Sequence, residues 1–80
     1  MSDHFRFIHF TETANPGRKT KIWVCYTNST DMPLGIVQWY SPWRQYCFYP
    51  TNTLVLSADC LRDLVTFIDG KQREHKEERP

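Results

Sequence analysis

No segment of this 80-residue chain approaches the roughly 18 consecutive apolar residues that a membrane-spanning helix needs. The opening MSDHFRFIHF is too short and too polar for a signal peptide, so the expectation is a cytoplasmic protein that does not engage a membrane. Charge of one sign is also missing: ten Lys and Arg stand against nine Asp and Glu, a net charge of +1. That balance removes the broad electrostatic pull of nucleic-acid and acidic-membrane binders and leaves room only for a local patch. Glycine is scarce, and Gly17, Gly35 and Gly70 stand alone, which excludes a glycine-rich phosphate loop. Cysteine occurs three times, as Cys25, Cys47 and Cys60, an odd number that implies reduced thiols serving as small apolar side chains, not a disulfide framework.

Metal and catalytic signatures are missing in the same way. Among the three cysteines and His4, His9 and His75, only His4 and His9, with four residues between them, stand at a zinc-module spacing, and in an alternating strand those two would point to opposite faces. No nucleophile is set beside a base. The expectation is therefore a non-enzymatic protein with no catalytic residues, no metal and no cofactor.

What the chain does have is apolar and aromatic content. Hydrophobic residues make up 40% and charged residues 24%, the profile of an ordinary globular domain. A chain of this size buries only about 60% of its unfolded surface, so each large apolar side chain matters. Six of the twelve aromatics lie within Leu34–Pro50, LGIVQWYSPWRQYCFYP. Divided at Ser41-Pro42, this run predicts a β-hairpin, with Pro42 in the connection because it has no N–H to give a ladder.

Upstream, Phe5–Phe10 reads as a first strand and Asn15-Pro16-Gly17 as a turn. Thr20–Thr27 follows as a second strand, alternating Ile22, Val24 and Tyr26 against Lys21, Trp23 and Cys25. Asn28–Pro33 is a further turn cluster, and Thr53–Leu56 is a possible short fifth strand. In the hairpin, a register placing Tyr40 opposite Trp43, Trp39 opposite Arg44, Val37 opposite Tyr46 and Gly35 opposite Phe48 sorts the side chains by face. Val37, Trp39, Tyr46 and Phe48 form the expected core side, with Arg44 laid over Trp39. The other side carries Ile36, Gln38, Tyr40, Trp43, Gln45, Cys47 and Tyr49. Gly35 leaves room for the Phe48 ring.

Ser57 reads as a helix N-cap with Asp59 in the first turn. Leu61, Leu64, Val65 and Ile68 then form an apolar stripe expected to lie on the sheet, with Cys60 and Phe67 at its margins. Gly70 is expected to weaken or end this helix, which leaves 71–80 as a charged tail that is either solvated helix or frayed. The fold class that follows is α+β: a four- to five-stranded antiparallel sheet with one C-terminal helix on one face, a single domain over 1–70.

The hairpin sequence, followed by CLRDLVTFI, resembles a small uncharacterised family found in phages, prophages and bacterial mobile elements. Its pattern is Gly-x-Val-x-Trp-Tyr, then Trp-Arg-x-Tyr-x-Phe-x-Pro, then Cys-Leu-x-x-Ile-x-x-Phe-Ile. The match runs from Leu34 to Ile68 through Gly35, Trp39, Tyr40, Trp43, Arg44, Tyr46, Phe48, Pro50, Cys60, Leu61, Phe67 and Ile68, and Leu64 replaces the more usual Ile. The resemblance implies a phage-type accessory protein that binds and blocks a host defence factor or sequesters a nucleotide signal.

Taken from the residues alone, a sheet with one helix leaves a face to meet solvent, a second subunit or a partner, so a homo-oligomer is expected. The expected binding surface is Tyr40, Trp43, Gln45, Tyr49 and Arg44, with Lys21 and Trp23. The same basic and aromatic types also suit a single-stranded nucleic-acid module, the alternative reading.

Overall fold

The computed structural model describes residues 4–51 and 55–78. Four strands, β1 (Ile8–Thr13), β2 (Ile22–Thr27), β3 (Pro33–Tyr40) and β4 (Gln45–Pro50), precede one helix, α1 (Ala58–Glu78). The strands form a single antiparallel sheet in the order β1-β2-β3-β4, so each pairs with its neighbour in sequence. The expected α+β class holds, with four strands. Thr53 and Leu54 of the suggested fifth strand lie outside the described residues, and Val55 and Leu56 carry no strand pairing.

Turn chemistry sets the connections. Arg18 N donates to Asn15 O across Pro16-Gly17, and Gly17 takes φ 75°, the left-handed conformation that glycine reaches without steric cost. Between β2 and β3, Asp31 N donates to Thr27 O and Asp31 takes φ 53°. The β2–β3 register then shifts between Cys25 and Tyr26, which makes a bulge.

The third connection is a four-residue loop, Ser41–Arg44. Trp43 N donates to Tyr40 O, Arg44 N donates to Ser41 O, and Arg44 closes the loop at φ 52°. Tyr40 therefore faces Gln45, Trp39 faces Tyr46 and Val37 faces Phe48. This corrects the expected register by two residues. Because side chains alternate with a period of two, an even shift leaves every residue of β3 and β4 on its expected face, while Trp43 and Arg44 fall in the loop. Phe48 still lies over Gly35, its ring carbons 2.7 and 3.0 Å from where an added Cβ would stand, although Gly35 pairs with Pro50.

The helix covers the face built from Ile8, Phe10, Trp23, Cys25, Val37 and Tyr46, against which it sets Leu64 and Phe67. Phe67 stacks on Phe10 with 3.7 Å between centroids and meets Trp23 edge-on at 5.4 Å. Two expectations change here. The buried stripe is Leu64 and Phe67 with Cys60 and Ile68 beside them, while Leu61 and Val65 are 49% and 57% exposed. The large Phe67 ring fills the space over Phe10 and Trp23, and seating it rotates Leu61 and Val65 outward.

Gly70 does not end the helix. It is buried within it, and the packing that follows offsets the roughly 1 kcal/mol that a helical glycine costs against alanine. The helix runs unbroken across residue 70 to Glu78. Lys71 Nζ lies 5.2 Å from the Trp23 centroid, the Gln72 side-chain oxygen accepts from Tyr46 N at 2.8 Å, and His75 lies 4.5 Å from Trp39. Ser57 does cap the helix: Cys60 N donates to Ser57 Oγ at 3.2 Å.

Candidate functional site: the open sheet face and the basic end

Alternation puts two chemically different surfaces on the strands. Opposite the helix lie His9, Ile22, Val24, Tyr26, Ile36, Gln38, Tyr40, Gln45, Cys47 and Tyr49, with Thr11 and Thr13 at the outer strand. No described element covers this face. Its strand positions carry no Lys, Arg, Asp or Glu.

Aromatic contacts organise the two sides of the face. At one, Tyr40 meets Trp43 edge-on at 4.9 Å and Tyr49 at 6.3 Å, and Trp43 is 66% exposed. At the other, His9 stacks between His4 at 5.2 Å and Tyr26 at 5.4 Å. The proximity of His4 and His9 corrects the expectation of opposite faces: Phe5 N donates to Ile8 O, and this reversal before β1 folds His4 back alongside His9. His9 is also held through Nδ1 to Asn28 Oδ1 at 2.7 Å, with Nε2 3.5 Å from Asp31.

The second surface is the end of the molecule where the β1–β2 loop, the β3–β4 loop and the later turns of α1 meet. An open cleft of about 530 Å³ is lined by Thr20, Trp39, Ser41, Arg44 and His75. A neighbouring hollow of about 290 Å³ shares Thr20, Trp39 and Ser41 with it and adds Asn15, Arg18 and Gln38. A small crevice beside His75 is lined by Lys19, Lys21, Trp23, Tyr46, Lys71 and Glu74.

The seven residues expected to form one binding surface thus divide three ways. Tyr40, Trp43, Gln45 and Tyr49 are brought together at the hairpin side of the open face. Arg44 and Lys21 belong to the basic end. Trp23 is only 3% exposed and packs under the helix, so it is a core residue and not a displayed one. Both faces of β2 are apolar in sequence, which hid the choice between them. Arg44 is also not the group over Trp39; His75 takes that place, 4.5 Å away, while Arg44 closes the turn. Thr20, Ser41 and His75 were missed. For His75 a signal existed, since Leu64, Ile68, Lys71 and His75 continue one helical stripe at steps of three and four.

The thiols differ in character. Cys25 is fully buried, and desolvation, followed by the neighbouring Cys60, pushes its pKa up to about 12. It stays protonated at neutral pH and is a packing residue. Cys47 and Cys60 are part-exposed free thiols.

The chain resembles a phage protein. It is 27% identical over 71 residues to an uncharacterised 9.3 kDa protein of Acholeplasma phage L2, covering 89% of this chain and 91% of that one. No family model matches the chain, and no solved structure matches it. No described helix is long and apolar enough to cross a membrane, a statement that does not extend to strands.

Proposed function

We propose that the chain is a small non-enzymatic binding protein of phage type, that its open sheet face is an association surface, and that the first occupant of that face is a second copy of the chain. The observation that carries this reading is the chemistry of the face: apolar and tyrosine-rich, with no formal charge at its strand positions. A two-fold interface sets a patch against itself, so any cluster of one sign would repel its own image. A neutral patch with Ile22, Val24 and Ile36 at its centre and tyrosine hydroxyls around them avoids that cost and removes apolar area from water.

Size sets the expected strength. Four strands about 4.8 Å apart and six residues long at about 3.4 Å span roughly 400 Å² in projection. That is below the roughly 800 Å² per partner of a standard interface, so the dimer should depend on concentration. In a phage setting the same association chemistry serves to occupy the surface of a host protein, and a defence factor is the class of target we favour.

Light scattering after size exclusion, from about 10 μM to about 1 mM, tests the reading. The wild type should shift toward dimer as concentration rises, and Ile36→Lys, at the centre of the face, should stay monomeric while keeping the wild-type circular dichroism spectrum. Tyr40→Glu gives a second, peripheral test with less effect on the fold. A wild type that stays strictly monomeric throughout sinks the proposal.

Nucleic-acid binding along this face has less support. Stacking platforms for single strands need cations beside the aromatics, and no Lys or Arg stands at a strand position of this face.

A further inference from the structure

The geometry points to a binding site for a small nucleotide at the basic end, separate from the open face. Five of the ten Lys and Arg residues, Arg18, Lys19, Lys21, Arg44 and Lys71, line the three adjoining hollows, against one carboxylate, Glu74. In a chain whose net charge is only +1, that is a concentrated positive field at one place. Glu74 is engaged by Lys71, Oε2 to Nζ 3.5 Å. Among the described residues no carboxylate pairs with Arg18, Lys19, Lys21 or Arg44, so these four present charge to solvent and to any anion that enters.

The cleft offers more than charge. Its floor is Trp39, half-buried and clamped by His75 at 4.5 Å and by Tyr46 edge-on at 5.3 Å. Thr20 and Ser41 also line it. Arg44 is the cation that lines this cleft and would take a phosphate, Arg18 in the neighbouring hollow and Lys21 in the crevice beside His75 add to the field around it, and a base could lie against the Trp39–His75 pair. The volume of about 530 Å³ lies within the roughly 300–1,000 Å³ usual for a small-molecule pocket. A single strand would instead need several platforms in a row, and the next exposed ring, Trp43, is turned toward Tyr40 on the open face.

Arg44 occupies a left-handed position, φ 52°, where glycine or asparagine is the less costly choice. The loop accepts that cost and thereby holds a guanidinium at the mouth of the cleft.

Calorimetric titration of the full chain with ATP, with pyrophosphate and with a dT oligonucleotide decides the matter, each at low and at moderate salt. ATP is expected to bind more tightly than pyrophosphate by tenfold or more, and no more weakly than the oligonucleotide. Arg44→Glu and Lys21→Glu should each weaken ATP at least tenfold without changing the circular dichroism spectrum, and Ile36→Lys should leave it unchanged. Equal affinity for pyrophosphate and ATP overturns the base contact, tighter binding of the oligonucleotide overturns the small-ligand assignment, and no binding at millimolar ATP overturns the site. Because Ile36→Lys probes only the open face, failure of this site and failure of the dimer reading are told apart.

Discussion

Gly35→Ala puts a methyl group where two parts of β4 already stand. The new Cβ would meet the carbonyl oxygen of Tyr49 and lie 2.7 and 3.0 Å from two ring carbons of Phe48, closer than such contacts are tolerated. The ring can rotate, but the carbonyl belongs to the β3–β4 ladder and moves only with the strand. Overpacking of this kind costs about 1–3 kcal/mol, and the reduced freedom of alanine in the unfolded chain returns about 0.4–1 kcal/mol. The net expectation is a loss of about 1–2 kcal/mol, a sizeable share of the 5–15 kcal/mol typical of a domain. In thermal unfolding followed by circular dichroism, Tm should fall by about 10 °C. A second arm separates ring from backbone. In a Phe48→Leu background the ring clash is gone and only the carbonyl remains, so Gly35→Ala should cost about 1 kcal/mol less there. A single variant within about 0.5 kcal/mol of wild type would refute the reasoning, because only a β4 that yields freely could absorb the methyl group.

Two further outcomes follow from the helix and the buried thiol. Gln72→Ala removes the side-chain oxygen that accepts from Tyr46 N at 2.8 Å, and it should cost about 1 kcal/mol in urea unfolding while the same change at exposed Arg73 costs almost nothing. Cys25, whose pKa is pushed up to about 12 in the fold and whose thiol ionises near 9.0 when exposed, binds its proton more tightly when native. Its contribution to stability is therefore complete below pH 9.0 and is lost as pH rises toward 12, at about tenfold in the unfolding constant per pH unit. Denaturant titrations at rising pH should show this slope, and Cys25→Ala should lack it; equal slopes would refute it.

The sheet was legible because its signals are local. Asn15-Pro16-Gly17 and the Pro42 loop mark reversals whatever lies around them, and the two-residue alternation kept Trp39, Tyr46 and Phe48 on the correct side even with the register displaced by two. The helix was legible only in part. Leu61 and Val65 fit an apolar stripe as well as Phe67 does, and the choice between them depends on the space over Phe10 and Trp23, which belongs to β1 and β2. The low helix propensity of Gly70 predicts a break there, and the packing of Lys71, Gln72 and His75 overrides it. The basic end was the least visible of all. It joins Thr20, Ser41 and His75 from three separated segments, and no spacing within any one of them announces the meeting.

The order of elements also bears on how the chain comes to be made. Every strand pairs with its immediate neighbour through a short loop, so the sheet can assemble hairpin by hairpin as it is synthesised. The element that shields Ile8, Phe10, Trp23 and Val37 is translated after all four strands. Until α1 has emerged and docked, both sides of the nascent sheet present apolar side chains to the cell, and the interval before docking is when the protein is most exposed to chaperones, to proteases and to its own neighbours.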